Sequence, residues 1–457
     1  MKWGQSMRQS VSAIFCYKDQ IFSIIRQNHL SVFPGYLAFP GGKVDKADHV
    51  APHPLNNEFD APLMNALVRE MREELFIDLP ELASQNKIAK ISYLGVAVTP
   101  EFNPYRFENF YFKIDLTELL DIKAGPEEAR ESGWSKCCDL LTRYQNCEVL
   151  AVPPMVEIVS TLGADPRFEG IIDLKLKCEL EHEVPMIESL YGVKQFLPLS
   201  HTFPPANRTN CFLMGDTEST PTLIDPSPRD ENEYQKLKTS LRHYRVDQLM
   251  ITHHHPDHHE FAPRLASELK CPILLSRDTH SRILERHGDN YFNACELLYI
   301  AEGEILCQSR GQDILIYEVP GHDEGQLALA PRDLHWFLVG DLIQTVGTVV
   351  IGHPEGDMSK YFSSLKRVIE LAPRFIIPSH GIAIGGTDKL EMTLAHRRLR
   401  EQQILDLYLK GSEVGDIMDI VYEGLEVGLQ KYALKTIDAH LRKLAHEGKC
   451  DYSSSSN

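Results

Sequence analysis

The chain has 457 residues, roughly three domains' worth at about 150 residues each, with 43% apolar and 25% charged residues. Its formal net charge of −18 excludes a surface built throughout for nucleic acid, because phosphate binding needs a cationic footprint. No apolar run approaches the ~18 residues that span a bilayer, the start MKWGQSMRQS lacks the apolar core of a signal peptide, and the ten cysteines form no CxxC, so a reduced, cytoplasmic setting without membrane association is expected.

In chain order, residues 1–165 open with apolar stretches, VSAIFCY and IFSII, then a turn rich in Pro and Gly, FPGYLAFPGGK. The spacing predicts a helix over Asn65–Phe76, then strands ISYLGVAV and FENFYFKI. Residues 166–195, with the charged run LKLKCELEHE, read as a connector. Residues 196–392 alternate short apolar strands (CFLMG, TLIDP, QLMIT, ILIYEV, WFLVG, FIIPS) with helical segments such as ENEYQKLKTSLRHY, and many strands stop at a polar turn bearing His or Asp. Residues 393–457 are helix-rich and end in a polar SSSS tail expected to be disordered. No repeat of solenoid period occurs.

Two clusters carry chemistry. On the first helix, Glu70, Glu73 and Glu74 lie at i, i+3 and i+4 and share one face. Three carboxylates there repel one another unless cations sit between them, which suits Mg²⁺, a hard ion wanting oxygen ligands and substrate phosphates. Ala66, Leu67, Met71 and Leu75 supply the buried side, and Gly41–Gly42 permit a tight turn before it.

The second cluster is ITHHHPDHHE, residues 251–260. His253 and His255 alternate where the run LMIT ends, so they can grip one ion. Asp257 and His258, past Pro256, can turn to a second, while His254 and His259 point elsewhere. Three further donors each follow an apolar strand: His322 in VPGH, Asp341 in VGD and His380 in PSH. Five histidines and two aspartates suit two divalent ions of borderline softness, with a position left for water.

HxHxDH, GHxxG (Gly321–Gly325), GD and SHG in this order resemble the metallo-β-lactamase superfamily over about 190 residues. The resemblance implies an αββα sandwich in which His253, His255 and His322 hold one ion, Asp257, His258 and His380 the other, and Asp341 bridges them. Two divalent ions, zinc by default, ~3.5–4 Å apart would lower the pKa of a shared water toward neutrality and clamp the reacting oxygens. Asp257 then counts among the catalytic residues, and His259 is the better placed of the two spare histidines to support a ligand. Asp rather than Cys at the bridging position favours thioesterase, lactonase and nuclease branches. The family usually has glycines after this loop; Glu260–Phe261 stand there and are expected to reshape the pocket floor.

Further on, GTVVIGHPEGDMSKYFSSLKRVIELAPRFIIPSHG and AHRRLREQQIL resemble a narrower branch. Its animal member is a mitochondrial single-strand endoribonuclease with a small winged-helix-like C-terminal domain, and Lys431–Lys449 has that domain's helix-then-wing pattern. Residues 396–457 hold nine Lys and Arg against ten Asp and Glu. That balance weighs against RNA contact by this part and favours packing or dimerisation.

AFPGGKVDKAD followed by Arg69–Ile77 resembles the Nudix box, whose core is R-E-U-x-E-E-x-G-U. The resemblance implies an α/β/α sandwich holding Mg²⁺ or Mn²⁺ on Glu70, Glu73 and Glu74, with Glu73 and Glu74 catalytic. Gly41, Gly42 and Arg69 would border the substrate diphosphate, Arg69 by tying loop to helix. The loop between Gly42 and Arg69 is longer than the family's by about 13 residues, its usual glutamate appears as Asp45 or Asp48, and Phe76 replaces the final glycine, which implies a different helix cap. The long loop, with TPEFNPYRFENFYF and ESGW, resembles the branch of coenzyme A diphosphatases found in peroxisomes.

Together these features lead to an α/β and α+β multidomain chain: a Nudix sandwich, a metallo-β-lactamase sandwich and a small winged-helix-like domain. The expected substrate is a small molecule with a diphosphate and an ester or thioester, such as an acyl-CoA. Two alternatives are a single-strand endoribonuclease and a Nudix part that senses a ligand and regulates the hydrolase. Oligomeric state leaves no mark in the sequence.

Overall fold

The computed structural model describes residues 7–453 apart from 56, 101, 102, 104 and 105, so part of the TPEFNPY motif and most of the serine tail lie outside the described residues. The chain forms two compact units, Met1–Cys178 with Ile187–Tyr191, and Glu179–Met186 with Gly192–Asn457. The stretch read as a connector is therefore divided between them. Its first part is bound into the first unit, where the Ile172 N–H donates to Leu94 O at 2.7 Å and the buried Lys113 ammonium donates to Pro166 O at 2.9 Å.

The first unit contains strands β1 (Arg8–Tyr17), β2 (Gln20–Arg26) and β3 (Leu37–Ala38), helices α1 (Ala61–Leu75) and α2 (Leu79–Ser84), strands β4 (Ile88–Val98), β5 (Phe107–Leu116) and β6 (Ala129–Lys136), and helices α3 (Cys137–Gln145) and α4 (Pro153–Ala164). β7 (Met186–Leu190) accepts the Ala151 N–H through Ser189 O. The mixed sheet runs β3-β2-β1-β5-β4, with β6 also on β2 and β1 parallel to β5. β1 is apolar on both faces, as a strand covered twice must be. Val11, Ala13 and Phe15 meet Leu67, Met71 and Leu75 of α1, whereas Ile14 and Cys16 meet Leu140 of α3 and Ile158 of α4.

The helix expected from Asn65 begins four residues earlier, at Ala61, with Pro62 in its first turn. Proline costs nothing there because the first-turn N–H groups have no intrahelical partner. At the other end, the substitution of the box's glycine does not change the cap. Phe76 takes the left-handed conformation a glycine would take (φ 58, ψ 32) and its N–H donates to Met71 O. Its side chain is 77% exposed, so little packing offsets the steric cost of a Cβ there, about 1 kcal/mol. Phe76→Gly is expected to stabilise the first unit by about 1 kcal/mol. Urea unfolding followed by intrinsic fluorescence checks this; an unchanged or lowered midpoint would contradict it.

In the second unit, one sheet runs in the order β13 (Leu297–Tyr299), β12 (Ile273–Leu275), β11 (Gln248–Met250), β10 (Thr222–Ile224), β9 (Cys211–Met214), β8 (Val193–Phe196). The other runs in chain order: β14 (Ile305–Ser309), β15 (Gln312–Glu318), β16 (Leu327–Pro331), β17 (Trp336–Gly340), β18 (Phe375–Pro378), β19 (Ile384–Gly385). Helices α5 (Glu231–Leu241), α7 (Ala262–Leu269) and α8 (Arg277–His287) cover the first sheet through Tyr234, Leu237, Leu265 and Ile283; α6 is the single turn Pro256–His259. Helices α9 (Met358–Leu371) and α10 (Asp388–Leu409) cover the second through Tyr361, Leu365 and Leu390. The central strands β11, β17 and β18 are buried at every residue, as expected of strands covered on both faces. The sheets are joined by hydrogen bonds such as Gln248 Nε2 to Leu306 O and Leu327 N–H to Thr252 O. The result is a four-layer αββα arrangement.

α11 (Val414–Val421) and α12 (Val427–His446) complete the unit and bury Ile417, Ile437 and Leu441 against Ile404 of α10. The helix-then-wing pattern read over Lys431–Lys449 is different in the structure. Ile437, Leu441 and Leu444 form one buried helical stripe, and no strand follows α12 among the described residues.

Candidate metal centre

The side chains named from the loop patterns are presented by strand ends. β11 stops three residues before His253 and β15 four before His322; β17 runs up to Asp341, and β18 ends two residues before His380. Pro256 starts α6 in the turn after His255, which carries Asp257 and His258 back toward the strands. Two sheets thus aim their C-terminal ends at one place.

There, His253 Nε2 lies 3.0 Å and His322 Nε2 2.9 Å from His255 Nδ1. A second group holds Asp257, His258 and His380, with His380 Nε2 3.5 Å and His258 Nε2 3.7 Å from Asp257 Oδ2. Asp341 Oδ2 faces both groups, 3.6 Å from His322 Nε2, 3.3 Å from His380 Nε2 and 3.8 Å from His258 Nε2. Asp341 is buried and His258 and His380 almost completely so.

The outer ring nitrogens are held by the chain. His258 Nδ1 meets Asp225 Oδ2 at 2.8 Å, His322 Nδ1 meets Val350 O at 3.0 Å, His380 Nδ1 meets Arg208 O at 3.0 Å, and His253 Nδ1 meets Thr252 Oγ1 at 3.1 Å. This fixes the Nε2 lone pairs of four histidines inward. Asp225 also accepts from the Thr252 N–H at 2.8 Å and from its hydroxyl at 2.7 Å. The sequence reading passed over Asp225; its one signal was an Asp-Pro at the end of the apolar strand TLI.

The arrangement fits divalent cations by its own chemistry. His258 Nε2, His380 Nε2 and Asp341 Oδ1 are buried and make no hydrogen bond, a state that polar atoms seldom hold in a folded protein. The two imidazole nitrogens lie 3.8 and 3.3 Å from Asp341 Oδ2, and a cation between them and that carboxylate would satisfy them. Burial and the neighbouring His255 imidazole push the His322 pKa down to about 4. At His258 and His380 burial is outweighed by the surrounding carboxylates, which raise the pKa, so a cation would have to displace a proton at each. Burial opposes ionisation of Asp341, but His380 and His258 outweigh it and hold its pKa well below the usual carboxylate range. Neutral imidazoles and ionised carboxylates are the forms that bind metal.

The two spare histidines have other partners. His259 joins Tyr291 Oη at 2.7 Å and His254 O at 3.0 Å. His254 Nδ1 binds the Asp323 carboxylate, and its Nε2 lies 3.8 Å from Glu355 Oε1. Burial opposes its protonation, yet Asp323 and Glu355 together raise its pKa to about 9. Where glycines were expected, Phe261 keeps a left-handed backbone (φ 64) and stacks its ring on Tyr234 at 5.3 Å, while Glu260 pairs with His201 at 2.7 Å.

Two loops flank the centre, and both are braced by the C-terminal helices. Residues 201–209 end at Arg208 and Thr209, which touch His380 and Asp257, and Phe203 meets Tyr432 of α12 edge to face at 4.9 Å. Residues 349–356 carry the Val350 carbonyl. Arg397 of α10 donates to Val349 O, and Lys435 of α12 lies against Gly352 so closely that a Cβ there would meet its side chain at 2.9 Å.

In the first unit, α1 places Glu70, Glu73 and Glu74 beside the Gly41–Gly42 turn. Glu74 accepts the Gly41 N–H at 2.9 Å, and any side chain at Gly42 would collide with the Glu70 carboxylate. Arg69 binds Glu70 at 2.8 Å, Glu73 at 3.1 Å, Asp48 at 3.0 Å and Lys43 O at 2.7 Å, so it ties the loop to the helix. Of the two loop aspartates, Asp48 is the buried partner; Asp45 is 3.8 Å from Arg69. Burial raises the Glu74 pKa to about 7, with the charge of Glu128, a residue the sequence reading did not single out, adding to the effect. Among the described residues these glutamates do not draw three ligand atoms together as the histidine groups do; the Arg69 guanidinium binds both the Glu70 and the Glu73 carboxylate.

Fold and donor set together give an αββα sandwich with a site that two divalent cations would fit. Residues 204–380 match the family described as the metallo-beta-lactamase superfamily, and the chain carries a domain of that superfamily. The chain is 27% identical over 266 residues to the "Beta-lactamase-like protein 2 homolog" of Drosophila melanogaster, which covers 54% of this chain and 86% of that protein. It is 24% identical to the "Atrochrysone carboxyl ACP thioesterase" of Aspergillus fumigatus (43% of this chain, 58% of that one) and 25% identical to the "Hydroxyacylglutathione hydrolase" of Bdellovibrio bacteriovorus (28% and 46%). The chain thus spans about half the length of these last two. Among solved structures, a beta-lactamase domain protein from Burkholderia ambifaria aligns at TM-score 0.49 and 19% identity over 58% of this chain and 88% of that one. A NUDIX hydrolase from Alicyclobacillus acidocaldarius aligns at TM-score 0.30 and 22% identity over 35% and 93%. No helix among the described residues is long and apolar enough to cross a membrane, and all ten cysteines are free thiols.

Proposed function

We propose that the protein is a metal-dependent hydrolase whose His/Asp centre cleaves a thioester or ester, coupled to a Nudix-type unit that binds or hydrolyses the diphosphate of the same substrate, an acyl-CoA. The observation that carries the first half is the convergence of seven side chains with three orphaned, buried polar atoms among them. His253, His255 and His322 would hold one ion, Asp257, His258 and His380 the other, and Asp341 would serve both, with zinc the default metal. Bound there, two divalent ions supply Lewis-acid polarisation of a carbonyl and an activated water. The chain's own part is to keep the donor atoms inward, through Asp225, Thr252, Val350 O and Arg208 O, and to exclude bulk water by burying the donors. Two relatives that are by name a thioesterase and a hydroxyacylglutathione hydrolase support a thioester.

For the second half, the support is the face shared by Glu70, Glu73 and Glu74, which would hold Mg²⁺ or Mn²⁺, beside a turn in which a side chain at Gly41 would run into the Val11 and Ser12 backbone. An acyl-CoA contains both a thioester and a diphosphate. The test is mass spectrometry of the products from an acyl-CoA panel with Mg²⁺ and Zn²⁺. Free CoA and acid are expected to disappear in His253→Ala. Acyl-phosphopantetheine and adenosine 3′,5′-bisphosphate are expected to disappear in Glu74→Gln. Thioester cleavage without diphosphate cleavage in the wild type would reduce the first unit to a ligand sensor; no product from any acyl-CoA would end the proposal and bring RNA oligomers forward.

A further inference from the structure

Four of the five inward-facing histidines have their outer nitrogen within 3.1 Å of a partner. His255 is the exception and is also turned the other way: its Nδ1 faces the centre and its Nε2 points out. The group facing that outer nitrogen is the Glu355 carboxylate, Oε2 at 3.6 Å. From the metal-binding reading above, on which this rests, we infer that Glu355 is a positioning residue for His255, held in place by a chain of alternating carboxylates and imidazoles that starts at Asp323 and passes through His254.

The chain can be followed atom by atom. Asp323 is fully buried; its Oδ1 accepts the Gly325 N–H at 2.9 Å and its Oδ2 binds His254 Nδ1. His254 Nε2 is 3.8 Å from Glu355 Oε1, and the other Glu355 oxygen faces His255. The backbone fixes the glutamate's position as well. Gly356 lies so close to the His322 turn that a Cβ would sit 2.8 Å from Gly321 O and 2.9 Å from His322 O. The Asp357 N–H donates to Gly321 O at 2.9 Å. The segment bearing Glu355 is therefore clamped to the turn that bears another donor of the same group.

The chemical need is specific. A neutral imidazole that offers Nδ1 as a lone pair must carry its proton on Nε2. A carboxylate facing Nε2 favours that tautomer and fixes the ring plane, and it makes Nδ1 a better donor. At 3.6 Å the pair is longer than a hydrogen bond, and a shift of about half an ångström by the half-exposed glutamate closes it. His254, His255 and Asp323 also place ligand atoms within 4.8 Å of one another. The direct bond between His254 and Asp323 satisfies both of those groups, so they act as a relay rather than as a third ion site.

The test is a zinc titration of the full chain against a chromophoric chelator, with wild type, Glu355→Ala and Glu355→Gln side by side. Histidine ring tautomers are read by long-range ¹⁵N–¹H NMR, and the metal-free proteins are melted as a control. The wild type is expected to bind two ions. Glu355→Ala is expected to weaken one of them about 10–100-fold and to leave the other, with the His255 Nε2–H tautomer no longer dominant. Glu355→Gln is expected to restore much of the loss, because its amide oxygen still accepts the Nε2–H. Two tight sites and an unchanged tautomer in Glu355→Ala would overturn the inference and leave the metal centre intact. Equal losses in both variants with a lowered metal-free melting temperature would also overturn it, in favour of a structural role. Failure of the wild type to bind zinc would overturn the metal-binding reading itself.

Discussion

In Asp341→Asn, hydrolysis of the thioester or ester is expected to fall by about 10³-fold or more. Asp341 is, among the described residues, the carboxylate that faces both donor groups, with one oxygen 3.3 Å from His380 Nε2 and 3.6 Å from His322 Nε2. Asparagine has the same shape and no charge. It removes the anion from a buried place where one oxygen already lacks a hydrogen-bond partner, and it leaves His258 and His380 facing a neutral amide. Metal-assisted charge stabilisation amounts to several kcal/mol, and about 4 kcal/mol corresponds to roughly 10³-fold in rate. The measurement is kcat/KM at saturating zinc together with metal content by mass spectrometry. Activity within tenfold of wild type, with two ions retained, would remove Asp341 from the centre.

Asp225→Ala is expected to act on stability as strongly as on metal binding. The carboxylate is fully buried and accepts three hydrogen bonds, from the Thr252 N–H, the Thr252 hydroxyl and His258 Nδ1. Alanine leaves those donors unpaired inside the protein, a loss of about 3–5 kcal/mol. It also frees the His258 ring to rotate, which costs about 10–100-fold in metal affinity. Urea unfolding at fixed free zinc, repeated without metal, separates the two contributions. A loss below about 1 kcal/mol in the metal-free protein would mean that Asp225 does not organise this turn.

The donors of the centre were readable because each is written locally, as an apolar strand followed by a His or Asp. The residues that aim them were not. Asp225 also ends an apolar strand, TLI, but it lies 33 positions from His258 and nothing local ties it to that ring. Glu355 is 100 from His255 with no local pattern to mark it, and Arg208 and Val350 contribute only carbonyl oxygens, which every residue has. The shared face of Glu70, Glu73 and Glu74 followed from helical spacing, but spacing says nothing about the guanidinium that already binds two of them. The Phe76 cap was misjudged for a different reason. Sequence shows which residue prefers a left-handed conformation, whereas the fold can impose it on one that does not. The C-terminal stripe of Ile437, Leu441 and Leu444 fitted both a helix before a wing and a helix alone, and no strand follows α12 among the described residues.

Tyr432 and Lys435 stand one helical turn apart on α12, and each braces a different loop of the metal centre. A piece of chain covering residues 196–392 would include every one of the seven donors and neither of these braces, nor Arg397. The shortest stretch that contains the donor inventory is therefore not the shortest stretch that keeps the donors in register. A cut at that border removes the contacts that brace both donor-flanking loops, however separate the terminal helices look as a segment of sequence.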